Sequence, residues 1–313
     1  MLEFEHRSVM PLEVQACLAL KAGETCVDCT LGGAGHAATS LEAVLPQGRL
    51  IGIDQDLDAI ENARRVFADD LASVTIVHDN FSNLPAILDS LGVDGVDGIL
   101  LDLGLSLHQL RRGQRGFSFL GDEPLDMRMD MRTETTAADL VNKLDQGALA
   151  DLFFKYGEER MSKRIARAIV HHRELTPITR NKELADIVRA ALPAKIVHKQ
   201  KIHPATRVFQ ALRIGVNQEL EQLERLMEAL PGILNPGGRI CVISFHSLED
   251  RIVKQRFRSL EQGCTCPRDF PRCVCGFTPS LKSASKKPVM PTPEEIKANP
   301  MARSARLRCA QKV

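Results

Sequence analysis

The sequence predicts an α/β fold with a parallel sheet that a helical segment interrupts. Two observations predict the sheet: short apolar runs end in Asp or Gly, and helical patterns lie between them. A third observation predicts the insertion, since helical periodicity without a convincing strand pattern extends from about residue 108 to residue 205. Strand character then returns, so one interrupted α/β domain explains the chain better than two domains in series.

Four candidate strands precede the helical stretch and one follows it. The strands are expected at residues 25–28, 49–54, 74–79, 98–104 and 238–245. Helices are expected from about residue 36 and at 58–68, 137–141, 146–156, 161–173, 181–192 and 217–230. The predicted organisation is a first core part at 1–108, a helical insertion for substrate recognition at 109–205, and a second core part at 206–313. A mobile tail is expected within the last part, because residues 278–300 are rich in Pro, Ser and Lys.

The composition indicates a folded protein without a membrane span. Of the 313 residues, 44% are hydrophobic, and no apolar run reaches the roughly 18 residues that a membrane helix requires. The first seven residues contain acids and lead into no apolar core, unlike a secretory signal. Nine Cys argue against a complete disulfide framework. A cytoplasmic protein with no membrane partner is therefore expected, and the oligomeric state stays open, a homodimer included.

Charge is distributed unevenly along the chain. The overall net charge is +1, but residues 1–110 carry −12, residues 160–213 carry +10 and residues 214–313 carry +6. Such asymmetry is typical of a protein in which one part faces a polyanion. The alternative is that the charges are solvated helix faces.

The first strand leads into a glycine-rich loop. The strand ends in Asp28, and the loop contains Gly32, Gly33 and Gly35 before a helix. Glycines let the backbone approach a ligand, and a helix N-terminus offers free N–H groups. Asp54 ends the second strand, where a carboxylate can accept hydrogen bonds from both hydroxyls of a ribose. The pattern predicts a nucleotide-type site, and a tight turn without a ligand is the alternative.

The order of glycines in the loop restricts the class of ligand that it can bind. It is not G-x-G-x-x-G, which argues against a dinucleotide and for a ligand without pyrophosphate. S-adenosylmethionine fits, because it combines a ribose, an adenine and a charged amino-acid end. Phe81 follows the third strand, where its ring could pack on an adenine, and Asp102 ends the fourth strand. Methyl transfer from a sulfonium needs no metal, so none is expected.

Two roles are open for Asp102. Its carboxylate could accept N–H bonds from the exocyclic amine of a cytosine or adenine and so help return the lone pair to nitrogen. Holding that nitrogen in line with the methyl group could supply ~7–11 kcal/mol of the barrier. Alternatively, Asp102 binds only the methionine end of the cofactor. Gln109 lies a few residues further on and suits either role.

Long motifs occur along nearly the whole chain. Besides the glycine loop they are HRSVM at 6–10, GILLDLG at 98–104, RGFSF at 115–119, PLDMRMD at 124–130, HPATRVFQALR at 203–213 and SFHSLEDR at 244–251. This set resembles the bacterial ribosomal small-subunit RNA (cytosine-N4)-methyltransferases, the MraW or RsmH family. The resemblance implies a Rossmann-like S-adenosylmethionine-dependent methyltransferase core with an inserted all-helical domain. It also implies methylation of cytidine N4 in the decoding centre of 16S rRNA, with the small ribosomal subunit as partner.

The resemblance also implies a set of cofactor contacts. They map onto Ala34, Gly35, His36, Asp54, Phe81, Asp102 and Gln109. The chain departs from the common family pattern at residues 105–108, where Val-Ser-Ser and a small residue or Pro are frequent. It departs again at residues 31–34, where Phe-Gly-x-Gly is common. Both departures are compatible with cofactor binding.

Candidate substrate residues follow the insertion. A helix is predicted here, and one of its faces carries Arg207, Gln210 and Arg213, which are spaced i, i+3 and i+6. We expect the arginines to contact RNA and Phe209 to pack in the core. Ser244 and His246 come after the returning strand and so reach the same sheet edge. His246 could orient the base or shed a proton late in the reaction, or it could be a structural histidine.

Other motifs have structural interpretations. Asp126, Arg128 and Asp130 are expected to form an ion-pair cluster that fixes a lid over the cofactor. Four thiols at 264, 266, 273 and 275 could bind zinc, but C-x-C is poorer than the C-x2-C spacing, so no metal is the favoured interpretation. Cys26 and Cys29 are expected in the core. The basic segment 160–213 and the tail 303–312 are expected to hold RNA phosphates.

Two further functions compete with rRNA methylation. One is a DNA or small-molecule amine methyltransferase on the same core. The other is a ribosome-assembly factor with a vestigial cofactor site. Intact Asp54 and Asp102 argue against a vestigial site, and the +10 segment argues against a small-molecule substrate.

Overall fold

A computed structural model describes residues 8–111, 114–197, 202–262, 266, 272 and 275–313. Outside the described residues lie His6 and Arg7 of the first motif, two cations of the basic segment (Lys199 and Lys201), and Cys264 and Cys273 of the candidate zinc cluster. The chain forms two compact units. The core unit comprises Met1–Gly104 with Leu220–Val313, and the helical unit comprises Leu105–Glu219.

Seven strands form the sheet of the core unit. They are β1 (Thr25–Asp28), β2 (Arg49–Asp54), β3 (Val74–His78), β4 (Val96–Asp102), β5 (Leu234–Ser244), β6 (Leu281–Ser283) and β7 (Arg306–Lys312). Helices of this unit are α1 (Pro11–Leu18), α2 (Gly35–Val44), α3 (Leu57–Val66), α4 (Leu84–Ser90), α12 (Glu219–Ile233), α13 (Ser247–Glu261) and α14 (Pro293–Ala298). The helical unit contains α5 (Leu107–Arg111), α6 (Ala137–Lys143), α7 (Gln146–Gly157), α8 (Ser162–Arg173), α9 (Asn181–Ala191), α10 (Ala194–Val197) and α11 (Thr206–Asn217).

The sheet is covered by helices on both faces. Its strand order is β3-β2-β1-β4-β5-β7-β6, with β1 to β5 parallel and β7 antiparallel to both neighbours. Successive side chains of β4 point to opposite faces: Ile99 and Leu101 pack with α4, α12 and α13, whereas Leu100 packs with α1. Burial on both faces explains the continuous apolar runs of the parallel strands. The predicted α/β fold class is confirmed.

Parallel pairing brings the ends of five strands to one edge of the sheet. The last residues of β1 to β5 are Asp28, Asp54, His78, Asp102 and Ser244. Register supports the alignment, since Asp54 pairs with His78 and Asp102 pairs with Ile243. Ligands of open α/β sheets bind outside this carboxyl edge.

Strand β5 is longer than the sequence indicates. Leu234 pairs with Val96, and the register then shifts so that Arg239 pairs with Gly98. The turn-forming residues 235–238 thus bulge from the strand without ending it. Strand β4, expected at 98–104, ends at Asp102 instead, because Gly104 has a φ of 104° that a strand does not use.

The last residues of the chain are part of the sheet, and the mobility expected for residues 278–300 stays a prediction. Residues 306–312 form β7 between β5 and β6, and Leu307 and Cys309 are buried there. Asp250 of α13 accepts hydrogen bonds from Arg306 Nη1 at 2.9 Å and from Arg308 Nε at 2.6 Å. An antiparallel strand with alternating apolar residues and a buried acidic partner therefore fixes this end of the chain.

Most of the tail cations expected to hold RNA phosphates have partners within the core unit, and their contact with RNA stays a prediction. Arg306 and Arg308 bind Asp250, and Lys312 Nζ donates to the carbonyls of Pro231 and Leu234 at 2.7 and 2.6 Å. Three of the four cations in 303–312 thus have partners within the core unit.

Helix α7 is central to the helical unit, where it packs against α8 and α11. The helices expected at 137–141, 146–156, 161–173 and 181–192 are confirmed as α6, α7, α8 and α9. Helix α11 belongs to this unit, although the sequence placed residue 206 in the core. The reason is close packing: Gly157 of α7 lies against the backbone of Arg207, where a Cβ atom would meet the carbonyl oxygen at 2.4 Å. Phe209 is buried, as expected.

The apolar helices of the described residues are too short, or not apolar enough, to cross a bilayer.

Removing the charge of Asp250 tests the link between α13 and β7. We expect Asp250→Asn to lower the free energy of unfolding by about 2 kcal/mol at pH 7, because the largely buried Arg308 loses a charged partner. Burial raises the pKa of Asp250, but hydrogen bonds from Arg308 and Arg306 outweigh it and hold the pKa below its usual value. The stabilisation is therefore present above about pH 4 and lost as the pH falls further.

Urea unfolding of both proteins from pH 7 to pH 3 measures this effect, with the exposed Asp89→Asn as control. A difference between wild type and Asp250→Asn that is as large at pH 3 as at pH 7 would contradict the assignment.

Candidate active site

Three backbone hydrogen bonds attach the glycine loop to the ends of β1 and β2. Thr30 N–H donates to Asp28 Oδ1 at 3.0 Å, and Gly32 N–H donates to Asp54 Oδ2 at 2.9 Å. Leu31 N–H donates to the carbonyl of Ile53 at 3.2 Å. The loop is therefore held by strand ends that themselves belong to the buried sheet.

The loop uses backbone conformations that favour glycine. Gly32 has a φ of 46°, and Ala34, immediately before α2, has a φ of 65°. A side chain in the left-handed region costs roughly 1–2 kcal/mol, and the related family pattern commonly has Gly where this chain has Ala34. Gly35 begins α2 with Ser8 so close that a Cβ atom would meet its Oγ at 2.3 Å. The first described residue of the chain thus helps to shape the loop.

Asp54 has both carboxylate oxygens on backbone donors. Oδ2 accepts from Gly32 N–H and Oδ1 from Asp56 N–H, each at 2.9 Å. Burial raises the pKa of Asp54 to about 7, although these two hydrogen bonds act in the opposite direction. A carboxylate has about four acceptor sites, so Asp54 can still accept hydrogen bonds from a pair of ligand hydroxyls.

Asp102 lies beside the loop at the end of β4. Its backbone N–H donates to Thr30 Oγ1 at 2.7 Å, and its Oδ2 is 3.8 Å from His36 Nε2. Oδ1 is buried and has no hydrogen-bond partner among the described residues. Burial, with the nearby charges of Asp28 and Glu249, raises the pKa of Asp102 to about 8.

Three buried carboxyl groups make the site acidic and shield it from solvent, those of Asp28, Asp54 and Asp102. Burial raises the pKa of Asp28 as well, to about 6. Within the described ranges, none of the three carboxyls forms an ion pair with Lys or Arg. A buried carboxyl without a cationic partner is costly to ionise. The arrangement therefore fits a ligand that brings its own positive charge and its own hydrogen-bond donors.

Phe81 lies just after β3. It begins a short 3₁₀ helix (Phe81–Asn83), and its ring is buried in the apolar cluster beneath the sheet edge. Asn80 fixes this turn, since its Oδ1 accepts from Ser82 N–H and its Nδ2 donates to Gln222 Oε1 at 2.8 Å. Stacking of Phe81 on adenine stays a prediction.

The end of β5 has strong structural partners. Ser244 is buried, and its Oγ is 3.4 Å from the carbonyl of Arg306. His246 caps the N-terminus of α13, with its Nε2 3.1 Å from Glu249 Oε1. Glu249 Oε2 also accepts from Phe245 N–H at 2.8 Å. The geometry shows capping by His246; substrate or proton-transfer roles for Ser244 and His246 stay predictions.

The remaining predicted site residues lie in the helical unit. Gln109 is buried and accepts from Ser106 N–H through its Oε1 at 2.9 Å. Gln210 Nε2 donates to the carbonyl of Tyr156, and Arg213 forms two 2.8 Å hydrogen bonds with Glu219. These polar groups thus have internal partners, and their ligand contacts stay predictions.

Arg207 differs from Arg213 in exposure. Its side chain is 42% exposed, with Nη1 3.8 Å from Glu159 Oε2, whereas the side chain of Arg213 is 15% exposed. Of the two arginines, Arg207 keeps more of its charge available to a polyanion.

The expected ion-pair cluster at 124–130 is divided into two pairs. Arg128 binds Asp126 through Nε and Nη2 at 2.9 and 2.7 Å. Asp130 binds Arg132 instead, at 2.7 Å. Each carboxylate is thus bound by the arginine two residues after it. The expectation that Asp130 shares a cluster with Arg128 is corrected accordingly.

Sequence reasoning missed Thr30 and Glu249. Thr30 connects the loop to Asp102, and its signal is a hydroxyl residue two positions after the Asp that ends β1. Glu249 raises the pKa of Asp102 and completes the cap of α13. Its signal is the spacing His-x-x-Glu after a strand, which is a capping-box pattern with His in place of Ser or Thr.

Known proteins are similar to this chain over nearly its whole length. The model of the MraW methylase family matches residues 3–313. Ribosomal RNA small subunit methyltransferase H of Desulforapulum autotrophicum is 78% identical over 312 residues and is matched over 100% of both chains. Proteins of the same name from Geobacter sulfurreducens and Desulfosudis oleivorans are 54% and 50% identical, over 99% and 100% of each chain. The chain belongs to the MraW methylase family, and its cofactor is S-adenosylmethionine.

The raised pKa of Asp102 predicts pH-dependent cofactor binding. A cationic ligand prefers the ionised carboxyl, so affinity should rise with pH and level off above about pH 8. Below that pH we expect a loss of up to about tenfold per pH unit from this group. Calorimetric titration with S-adenosylmethionine between pH 6 and pH 9 measures the profile.

Comparison with Asp102→Asn isolates this carboxyl, because Asp54 and the ligand contribute equally to both proteins. The exposed Glu61→Gln is the control and should follow wild type. Identical pH profiles for wild type and Asp102→Asn would contradict the assignment.

Proposed function

We propose that this member of the MraW methylase family transfers a methyl group to the exocyclic N4 of a cytidine in the decoding centre of 16S rRNA. The observation that carries the proposal is Asp102, a buried carboxyl at the sheet edge whose Oδ1 has no hydrogen-bond partner in the described part of the chain. The name of the relatives, Ribosomal RNA small subunit methyltransferase H, supports RNA of the small subunit as the substrate.

The residues at the carboxyl edge suit the parts of S-adenosylmethionine. When bound, the cofactor supplies an electrophilic methyl group on a sulfonium. Asp54 would accept hydrogen bonds from the ribose hydroxyls, and Phe81 would lie beside the adenine. Backbone groups of Ala34 and Gly35 at the start of α2, together with His36, would hold the methionine end. The fit rests on the partnerless Oδ1 of Asp102 and on the acidic, buried strand ends described above.

Asp102 has two consecutive tasks in the proposed reaction. The lone pair of a cytosine amino group is shared with the ring, so the nitrogen is a weak nucleophile. Ionised Asp102 would accept an N–H bond from this amine and favour the lone pair on nitrogen. As the new N–C bond forms and the C–S bond breaks, the nitrogen must lose a proton. Ionised Asp102 is placed to receive it, because its carboxylate already accepts the N–H bond of the amine.

A basic face on α8 supports a polyanionic substrate. Lys163 and Arg167 are exposed one helical turn apart, and Arg160 is exposed just before the helix. In the ranges that the structure describes, none of the three forms an ion pair with Asp or Glu. Unpaired cations on one helix face are suited to phosphate contacts. We therefore assign substrate recognition to the helical insertion.

Identification of the methylated base tests the function. Incubation with labelled S-adenosylmethionine and small subunits, naked rRNA or DNA should place label on cytidine N4 of the rRNA, as mapped by nuclease digestion and mass spectrometry. Asp102→Ala should lower turnover by at least ~100-fold, because the amine loses its acceptor. Unfolding curves check that this variant is folded.

Label found only in DNA would favour the DNA methyltransferase alternative. Methylation of small amines, with no label in nucleic acid, would favour the small-molecule alternative. Cofactor binding without transfer to any substrate would favour an assembly factor.

The basic face of α8 predicts a change in salt dependence. Each phosphate contact that is lost should reduce the slope of log affinity against log salt by about 0.7 for single-stranded RNA. The double variant Lys163→Ala, Arg167→Ala should therefore reduce the slope by about 1.4. Fluorescence anisotropy with an rRNA fragment, repeated over a series of KCl concentrations, measures this slope.

Lys143→Ala is the matched control, because Lys143 is paired with Asp139 at 2.8 Å. An unchanged slope in the double variant would exclude α8 from the RNA interface.

A further inference from the structure

Three cysteine thiols meet on the face of the sheet that α1 covers. Cys17 lies near the end of α1, Cys241 in β5 and Cys309 in β7. Cys241 and Cys309 are direct partners in the antiparallel register, with their Sγ atoms 3.2 Å apart. All three Sγ atoms lie within 4.8 Å of one another. The fold thus brings Cys17 together with two cysteines that are 224 and 292 positions away from it in the chain.

The surroundings of the three thiols are apolar, with one basic side chain. Cys241 and Cys309 are buried and Cys17 is half-buried, among neighbours that include Leu100 and Leu307. Within the described residues, the group contains sulfur ligands alone, without His, Asp or Glu. Arg239, two residues before Cys241 on the same face of β5, donates from Nη1 to the carbonyl of Cys17 at 3.0 Å.

We propose that Cys17, Cys241 and Cys309 bind one thiophilic metal ion, Zn²⁺ or Cu⁺, through three thiolates. Metal–sulfur bonds of about 2.3 Å place tetrahedral sulfur ligands roughly 3.8 Å apart, which is compatible with Sγ atoms that all lie within 4.8 Å of one another, the Cys241–Cys309 pair being 3.2 Å apart. An all-sulfur donor set selects soft ions of this class. Binding releases a proton from each thiol to solvent, and the positive charge of Arg239 offsets the excess negative charge of three thiolates.

The two ions would differ in how they complete their coordination beside the half-buried Cys17. Zn²⁺ prefers four ligands and would complete its coordination with water on the Cys17 side, whereas Cu⁺ accepts three sulfur ligands. Either ion would join α1 to β5 and β7. This site is separate from the proposed transfer chemistry, because none of the three thiols belongs to the carboxyl edge of the sheet.

Metal content tests the proposal independently of methyl transfer. The experiment uses the full chain carrying Cys264→Ser, Cys266→Ser, Cys273→Ser and Cys275→Ser, so that these four thiols cannot bind the ion. Equilibrium dialysis against Zn²⁺, and anaerobically against Cu⁺, should give one metal ion per chain with either or both ions. Cys17→Ser in this background should weaken binding at least tenfold. Cys29→Ser, another buried thiol, is the control and should bind as the background does.

Cys17→Ser is the main variant because its half-buried position tolerates a hydroxyl, and its unfolding curve checks the fold. Cys241→Ser and Cys309→Ser should show the same loss. A background protein that binds neither ion overturns the proposal. Equal metal binding by the background protein and by Cys17→Ser overturns it as well. So does a protein that is isolated with a Cys241–Cys309 disulfide and binds no metal once that disulfide has been reduced.

Discussion

Burial of acidic side chains at one edge of the sheet is the constraint on which the site depends. Asp28, Asp54 and Asp102 end neighbouring parallel strands, and burial raises the pKa of each. Backbone N–H groups of the glycine loop compensate part of this cost at Asp28 and Asp54. Asp102 receives no such donor on Oδ1 in the described chain. The loop conformation and the demand for a cationic ligand thus have one physical origin.

The same constraint explains why strain is tolerated in the loop. Ala34 adopts a left-handed conformation that is unfavourable for a side chain. Its neighbours on both sides are fixed, by the hydrogen bond from Gly32 to Asp54 and by the contact of Gly35 with Ser8. Strained backbone persists where the surrounding structure determines it in this way. Contacts within the protein therefore account for the conformation of the loop.

Sequence reasoning succeeded where a residue's role follows from its place on an element. The position of Asp54 at the end of a strand, and the helical periodicity of α7 to α9, are local patterns that the structure confirms. It failed where a partner is distant in the chain. Asp250 binds Arg308 across 58 residues, and this pairing fixes β7, a strand that the sequence patterns did not indicate. A pairing between near residues was missed as well: Arg213 binds Glu219, which lies beyond the end of α11 and which helical spacing alone does not reveal.

The last strand of the chain is also an inner strand of the sheet. β7 lies between β5 and β6 and supplies hydrogen bonds to both. During synthesis, β5 must keep an open hydrogen-bonding edge until residues 306–312 have emerged, and β6 has no partner before then. Local helical contacts let the insertion form earlier, whereas the core unit closes last. A chain that stops a few residues early would therefore expose an unpaired strand beside the finished carboxyl edge, the kind of surface that recruits other chains.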